Sequence, residues 1–78
     1  MNRTELLMIA RARRLSRSGE AKTLRLAAGL SIREVAGSIG SSPSAVWRWE
    51  NGQRTPRGAP AAAWGELLQA LDRVVTAV

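Results

Sequence analysis

Apolar residues recur along this chain at the three- and four-residue spacing of amphipathic helices. The stretch 32–39 follows the i, i+3, i+4, i+7 pattern of one buried helix face. Ser31 precedes this stretch and Glu34 stands three residues later, so the two side chains can form a capping box. Gly40 follows where a left-handed residue would end the helix. The inward residues of this predicted helix are Ile32, Val35, Ala36 and Ile39.

A second short helix follows directly. Ser42 is its predicted N-cap, and Pro43 suits the first helical position, where a missing amide costs nothing. Val46 and Trp49 give the helix an apolar side, and residues 51–52 close it. Two short helices joined by a glycine turn predict the helix-turn-helix layout, whose second helix commonly lies in the major groove of DNA.

The residues before this pair predict two further helices. Thr4 is the predicted cap of an N-terminal helix, and a break at residues 18–20 starts the next helix, over 20–28. The predicted inward residues are Leu6, Leu7, Ile9 and Ala10 in the first of these helices and Leu24, Ala27 and Ala28 in the second.

The N-terminal helix is also the most basic part of the chain. Residues 1–25 carry seven basic and two acidic side chains, against five and four in residues 26–78. Arg11, Arg14 and Arg17 fall on adjacent turns, and Arg13 points elsewhere. The three arginines predict either contacts with one DNA phosphate strand or a solvated helix face.

The C-terminal part predicts a loop over 53–58 and a final helix opened by Pro60. We expect its second half to pack on the N-terminal helix or to form a homodimer contact, because it is more apolar than a small monomer needs. The apolar stripe of this helix consists of Ala63, Trp64, Leu67, Leu68, Leu71, Val74, Val75 and Val78.

These elements predict an all-α fold, a compact bundle of about five helices that contains a helix-turn-helix. The predicted division is a basic N-terminal helix at 1–18 and a helix-turn-helix DNA-binding domain at 19–78.

Composition narrows the function. The 78 residues carry a net charge of +6, which favours polyanionic partners such as DNA. Cysteine and histidine are absent and the six carboxylates show no paired arrangement. We therefore expect no enzyme activity, cofactor, metal or small-molecule substrate. The apolar run 6–10 is too short for a membrane span or a secretory signal, so no membrane role and a cytoplasmic location are expected.

From Lys22 to Leu71 the chain resembles the Cro and lambda-type repressor family of helix-turn-helix DNA-binding proteins, also called the xenobiotic-response-element family. Two positions depart from it. Ile32 stands where the family usually has a glutamine that touches phosphate, and Ser41 stands where it usually has an apolar residue. The matching points are Arg25, the run Ala28-Gly29-Leu30-Ser31, Ala36, Gly40, Val46, the run Trp49-Glu50-Asn51-Gly52 and the run Arg54-Thr55-Pro56.

The resemblance implies roles for individual residues. Arg25 and Glu50 would form a partly buried ion pair, the alternative being two independent surface charges. Trp49 would be buried and Trp47 partly exposed, either on DNA or against the N-terminal helix. The residues that would meet base edges are Ser42, Pro43, Ser44 and Arg48, with Trp47 beside them.

Arg48 is the predicted guanine contact, since arginine grips O6 and N7, and a phosphate contact or solvent is the alternative. The predicted contacts with the DNA backbone are Ser31, Arg33, Asn51, Arg54 and Thr55. For Arg54 and Arg57 a solvated loop is the alternative.

The leading hypothesis is thus a sequence-specific, double-stranded DNA-binding transcriptional regulator of the phage or bacterial repressor kind. The alternatives are a protein-interaction module, antitoxin-like or partner-docking, and a phage excision or recombination accessory protein. The polar outer side of the second motif helix favours DNA, because a docking module would show an apolar one.

Overall fold

A computed structural model describes residues 1–77, and all of its regular elements are α-helices. The predicted all-α class is confirmed. The helices are α1 (Arg3–Ser18), α2 (Glu20–Ala27), α3 (Ile32–Ile39), α4 (Pro43–Glu50) and α5 (Gly58–Thr76).

Helices α3 and α4 begin and end where their side chains satisfy the free backbone groups. Ser31 accepts from the Glu34 amide at 3.0 Å, and its own amide donates to the Glu34 carboxylate at 2.9 Å. Gly40 adopts the left-handed conformation, with φ of 71°, and ends α3. Ser42 then accepts from the Ala45 amide at 3.1 Å and caps α4. The predicted capping box and the glycine turn are both present, so the two helices meet through a three-residue turn.

The core lies where α1 and α5 meet α3 and α4. Trp64, Leu68, Val35 and Val46 are the largest side chains fully excluded from solvent. Helix α1 packs most extensively against α5. The approach is closest at Gly65, where an added methyl group would overlap the backbone of Met8.

The structure corrects the predicted start and inward face of α1. Asn2, rather than Thr4, caps the helix, because its side-chain oxygen accepts from the Glu5 amide at 2.8 Å. Ile9 is buried as predicted, but the face continues through Ala12 and Leu15. Ala12 has no exposed surface, and α1 and α5 approach most closely one turn earlier, at Met8 and Gly65, so the contact with α5 sets which face is buried. Leu6, Leu7 and Ala10 were expected inside and are exposed.

Two smaller corrections concern α2 and α5. Helix α2 ends at Ala27, which is exposed rather than inward, while Leu24 and Ala28 are half-buried. Helix α5 begins at Gly58 with Arg57 as its N-cap residue, two residues before the predicted Pro60. Glycine can occupy this first position because its φ is 69°, a conformation that few other residues adopt.

The apolar stripe of α5 is only partly inside. Trp64, Leu68 and Leu71 are buried, and Ala63, Leu67 and Val75 are half-buried. Val74 is 67% exposed, so this part of the stripe is not covered within one molecule, and the homodimer alternative stays a prediction. Val78, the last predicted member, lies outside the described residues. The first half of the stripe therefore closes the bundle, and an apolar side chain stays on the surface beyond it.

Candidate nucleic-acid interface

The outer face of α4 is polar apart from one indole ring. Val46 has no exposed surface and Trp49 is 5% exposed, so they set the buried side of the helix. The 3.6-residue period then turns Ser44, Trp47 and Arg48 outward, and all three are exposed. Trp47 is 46% exposed, as expected because Val46 and Trp49 set the buried side of the helix.

The first turn of α4 adds hydroxyl groups to this face. Ser42 and Ser44 are both exposed, and Pro43 lies between them. The Ser42 oxygen is occupied by the Ala45 amide, but its hydroxyl proton remains free to donate. Arg48 stands one turn beyond Ser44, so the hydroxyls and the guanidinium share one exposed surface.

The position of Trp47 on α4 bears on its alternative role against α1. Ala45 and Trp49 form the side of α4 that faces α1, because they line a cleft together with Arg17 of that helix. At about 100° per residue, Trp47 lies roughly half a turn around the helix from these two residues. The geometry therefore favours a Trp47 ring that faces away from α1.

Behind this face, a buried ion pair joins α2 to the end of α4. Arg25 Nε donates to Glu50 Oε2 at 2.7 Å and Nη2 donates to Oε1 at 2.9 Å, which is a bidentate geometry. Nη1 also donates to the Leu30 carbonyl at 2.9 Å. The side chains are only 7% and 1% exposed. The hydrogen bonds that Arg25 donates to Glu50 raise the pKa of Arg25, against the opposing effect of burial.

The predicted backbone contacts of α3 lie at the start of that helix. Ser31 and Arg33 are exposed there. The hydroxyl oxygen of Ser31 is engaged with Glu34. Hydrogen bonds from the backbone amide and side chain of Ser31 lower the pKa of Glu34. Arg33 thus offers a free guanidinium, whereas the amide and the hydroxyl of Ser31 are both engaged with Glu34.

The other predicted backbone contacts lie after α4. Asn51 Nδ2 donates to the Trp47 carbonyl at 2.8 Å, which uses one of its two amide protons and caps the helix. Arg54 and Thr55 are exposed on the loop that follows, where both line the cleft beside α1. The loop thus presents one guanidinium and one hydroxyl next to the end of α4.

The three N-terminal arginines do not form one row. Arg14 lies 3.9 Å from Glu20, with both side chains more than half exposed, and Arg11 lines the same small cavity as Glu20 and Asp72. Only Arg17 lies in the cleft beside α4. The structure therefore groups one of these arginines with the candidate interface and the other two with acidic side chains.

Sequence reasoning missed one residue of this surface. Arg13 was expected to point elsewhere, but it lines the cleft with Arg17. Arg13 stands four residues before Arg17 and so shares its helix face, a signal that was available in the spacing. Arg57, for which a solvated loop is the alternative to a backbone contact, also lines the cleft, and its place there depends on how the loop folds against α1.

Together, the three-residue glycine turn, the exposed polar second helix and the ion pair behind it define a helix-turn-helix protein. The family model for the helix-turn-helix domain matches residues 18–77, and the chain belongs to this family. Comparison with curated proteins and with solved structures gave no match. Members of the family are in general DNA-binding regulators and are typically not enzymes. Among residues 1–77, no helix is long and apolar enough to cross a membrane.

Proposed function

We propose that this protein is a sequence-specific regulator of transcription that binds double-stranded DNA, in the manner of phage or bacterial repressors and Cro-like proteins. The observation that carries the proposal is the outer face of α4, which exposes two serines, an indole and a guanidinium. These groups read base edges, whereas a protein-docking face would be apolar. The recognition helix is α4 with its N-cap, residues 42–51.

Each group on this face has a chemical role in the proposal. Arg48 donates to O6 and N7 of a guanine, the commonest specific contact of this kind. The hydroxyls of Ser42 and Ser44 accept or donate at neighbouring base edges. Pro43 and the Trp47 ring offer apolar contact to a thymine methyl group, and the indole N–H can donate to a phosphate.

The backbone contacts position this helix in the groove without adding sequence preference. Arg33 and Ser31 at the start of α3 serve one flank, while Arg54 and Thr55 serve the other. Asn51 adds its remaining amide proton at the end of α4. Acting on DNA, the protein works in the cytoplasm of a bacterial cell or of an infected host.

Selection of bound duplexes from a random pool, repeated with Arg48→Ala, tests the proposal. We expect the wild-type protein to enrich one sequence motif. The variant should lose about 1–3 kcal/mol of binding free energy for DNA, together with the preference at one base pair of that motif. Arg3→Ala is the control, since Arg3 is an exposed arginine at the start of α1. Equal weakening on every sequence would assign Arg48 to the backbone, and a pool without enrichment would contradict sequence-specific binding.

The same selection addresses the assembly and the genetic role. A homodimer through α5 is supported by the exposed Val74 at its C-terminal end. Such a dimer predicts two half-sites separated by a fixed spacing. Genomic copies of the selected motif that lie in promoters indicate a transcriptional role. Copies that lie beside recombination sequences indicate the excision or recombination alternative.

A further inference from the structure

A cleft runs between the C-terminal half of α1, one side of α4 and the loop that leads into α5. Its volume is about 690 Å³. A water molecule takes up about 30 Å³ of liquid, so the cleft holds on the order of twenty waters and can admit a stretch of phosphodiester chain. Its walls include Arg13 and Arg17 on α1, Ala45 and Trp49 on α4, and Arg54 and Arg57 on the loop.

The charge of this cleft is of one sign. Four arginines line it, and no acidic side chain of residues 1–77 does. Within that same range, none of the four makes an ion pair, whereas Arg14 and Arg25 each have an acidic partner. Concave sites lined by one sign of charge concentrate the opposite charge, because their low-dielectric walls focus the field. The cleft therefore suits an anion.

The loop is anchored to α1 at one point of the cleft. Arg13 Nε donates to the Pro56 carbonyl at 2.9 Å, which ties the loop to α1. Pro56 is itself buried, so this point of the loop is fixed against the helix. Arg17 on α1 and Arg57 on the loop both line the cleft, and the remaining N–H groups of Arg13 stay free to donate.

The cleft also borders the proposed base-reading face. Ala45 and Trp49 line it from α4, and Arg48 follows next around that helix, at about 60° from Ala45 by the helical period. With α4 in a major groove, the cleft therefore lies toward the phosphate strand on the Arg48 side of the helix and not toward the strand on the Trp47 side.

We propose that this cleft binds the phosphate backbone of DNA on the Arg48 side of α4, with Arg17 of α1 and Arg57 of the loop as phosphate contacts. Helix α1, which lies almost wholly outside the family match at residues 18–77, is then part of the DNA-binding surface. The inference rests on the proposed function and adds to it a second, sequence-independent contact that the helix-turn-helix alone does not supply.

The salt dependence of binding to random-sequence duplex DNA tests this assignment. Each lost phosphate contact flattens the log–log dependence of affinity on salt by ~0.9. We therefore expect Arg17→Ala and Arg57→Ala each to flatten the slope by about 0.9, and the double variant by about twice as much. All sequences in the pool weaken alike, because the contact carries no base preference.

Arg14→Ala is the matched control. It removes the same charge from the same helix, one turn away, but from the side chain that lies near Glu20. Its slope should stay that of the wild type. Arg14, Arg17 and Arg57 all have exposed side chains, so their replacement removes no core contact. Circular dichroism and melting temperature should therefore show that the variants are folded. A slope for Arg17→Ala equal to that of Arg14→Ala overturns the assignment of Arg17.

The wild-type protein separates this inference from the function on which it rests. If the wild type fails to bind duplex DNA at low salt, the proposed function fails. If the wild type binds and enriches a sequence motif but the Arg17→Ala and Arg57→Ala slopes are unchanged, only the cleft assignment fails.

Discussion

The guanidinium of Arg25 is almost fully buried because Glu50 meets it with both carboxylate oxygens. Both charges are shielded from solvent, so water cannot take the place of a missing partner. A single unpaired charge at this buried position costs far more free energy than the pair does. The pair thus determines where the C-terminal end of α4 lies relative to α2. Burial also removes the hydration of each charge, so the net contribution of the pair to the free energy of unfolding has to be measured by mutation.

Replacing Glu50 with glutamine should destabilise the protein strongly. The amide keeps the shape but leaves the Arg25 charge uncompensated, and breaking a buried pair costs ~3–5 kcal/mol. Urea denaturation of Glu50→Gln measures this loss. Glu66→Gln removes the same charge from an exposed site on α5, where surface pairs are worth ~0–1 kcal/mol. Equal stability of the two variants would show that the pair does not hold the fold together.

At the scale of the helix, α3 depends on the reciprocal bonds between Ser31 and Glu34. These bonds favour the carboxylate and lower the pKa of Glu34. A carboxylate with a lowered folded-state pKa adds stability above its unfolded value, here 4.5, and that stability is lost as the pH falls through the folded value. The start of α3 should therefore loosen only in acid.

A carboxyl-carbon NMR titration tests this expectation. The Glu34 midpoint should fall below 4.5 in the wild type and return toward that value in Ser31→Ala, which removes the side-chain bond. A Glu34 midpoint that does not respond to Ser31→Ala would mean that the capping box does not form in solution.

The ends of α3 and α4 were predictable because their causes are local. Ser31, Gly40 and Ser42 act on amides and carbonyls within a few residues, so their types and spacing were sufficient to place α3 and α4. The class of the fold and the outward face of α4 followed from the same short-range pattern. The ion pair needed the family resemblance, since its partners are 25 residues apart.

What sequence reasoning missed depends on distant parts of the chain. Leu6 and Leu7 are more apolar than Ala12, yet Ala12 is inside, because close approach of α5 favours a small side chain there. The basic cleft was missed for a similar reason. Arg13 and Pro56 are 43 residues apart, and no spacing rule connects them.

At the scale of the whole molecule, the position of α1 depends on one glycine. A methyl group at Gly65 would overlap the Met8 backbone, so the two helices can approach this closely only without a side chain there. The contact also brings Ser16 within 3.3 Å of the Trp64 indole nitrogen, a buried hydrogen bond between α1 and α5. Together these contacts tie the basic helix to the helix-turn-helix.

Gly65→Ala should therefore destabilise the protein even though alanine is the better helix former. Alanine is more favourable than glycine by about 1 kcal/mol in a helix interior. Overpacking typically costs ~1–3 kcal/mol or more, and here the added methyl group would clash with the Met8 backbone, which cannot move aside as a side chain can. Gly37→Ala on α3 is the control, because nothing lies within 4 Å of its added methyl group. Thermal melts should show opposite shifts for the two substitutions. A stabilised Gly65→Ala variant would contradict the close contact of α1 and α5.

The three tryptophans stand at three depths, and this gives the protein a set of built-in optical probes. Trp64 has no exposed surface and its indole nitrogen donates to Ser16 of α1, Trp49 is 5% exposed on the inner side of α4, and Trp47 is 46% exposed on the outer face of α4. Indole emission moves to the red when solvent reaches the excited ring. Variants that keep a single tryptophan therefore report separately, through emission colour and quenching, on release of α1, on loosening of α4 and on occupation of the outer face of α4.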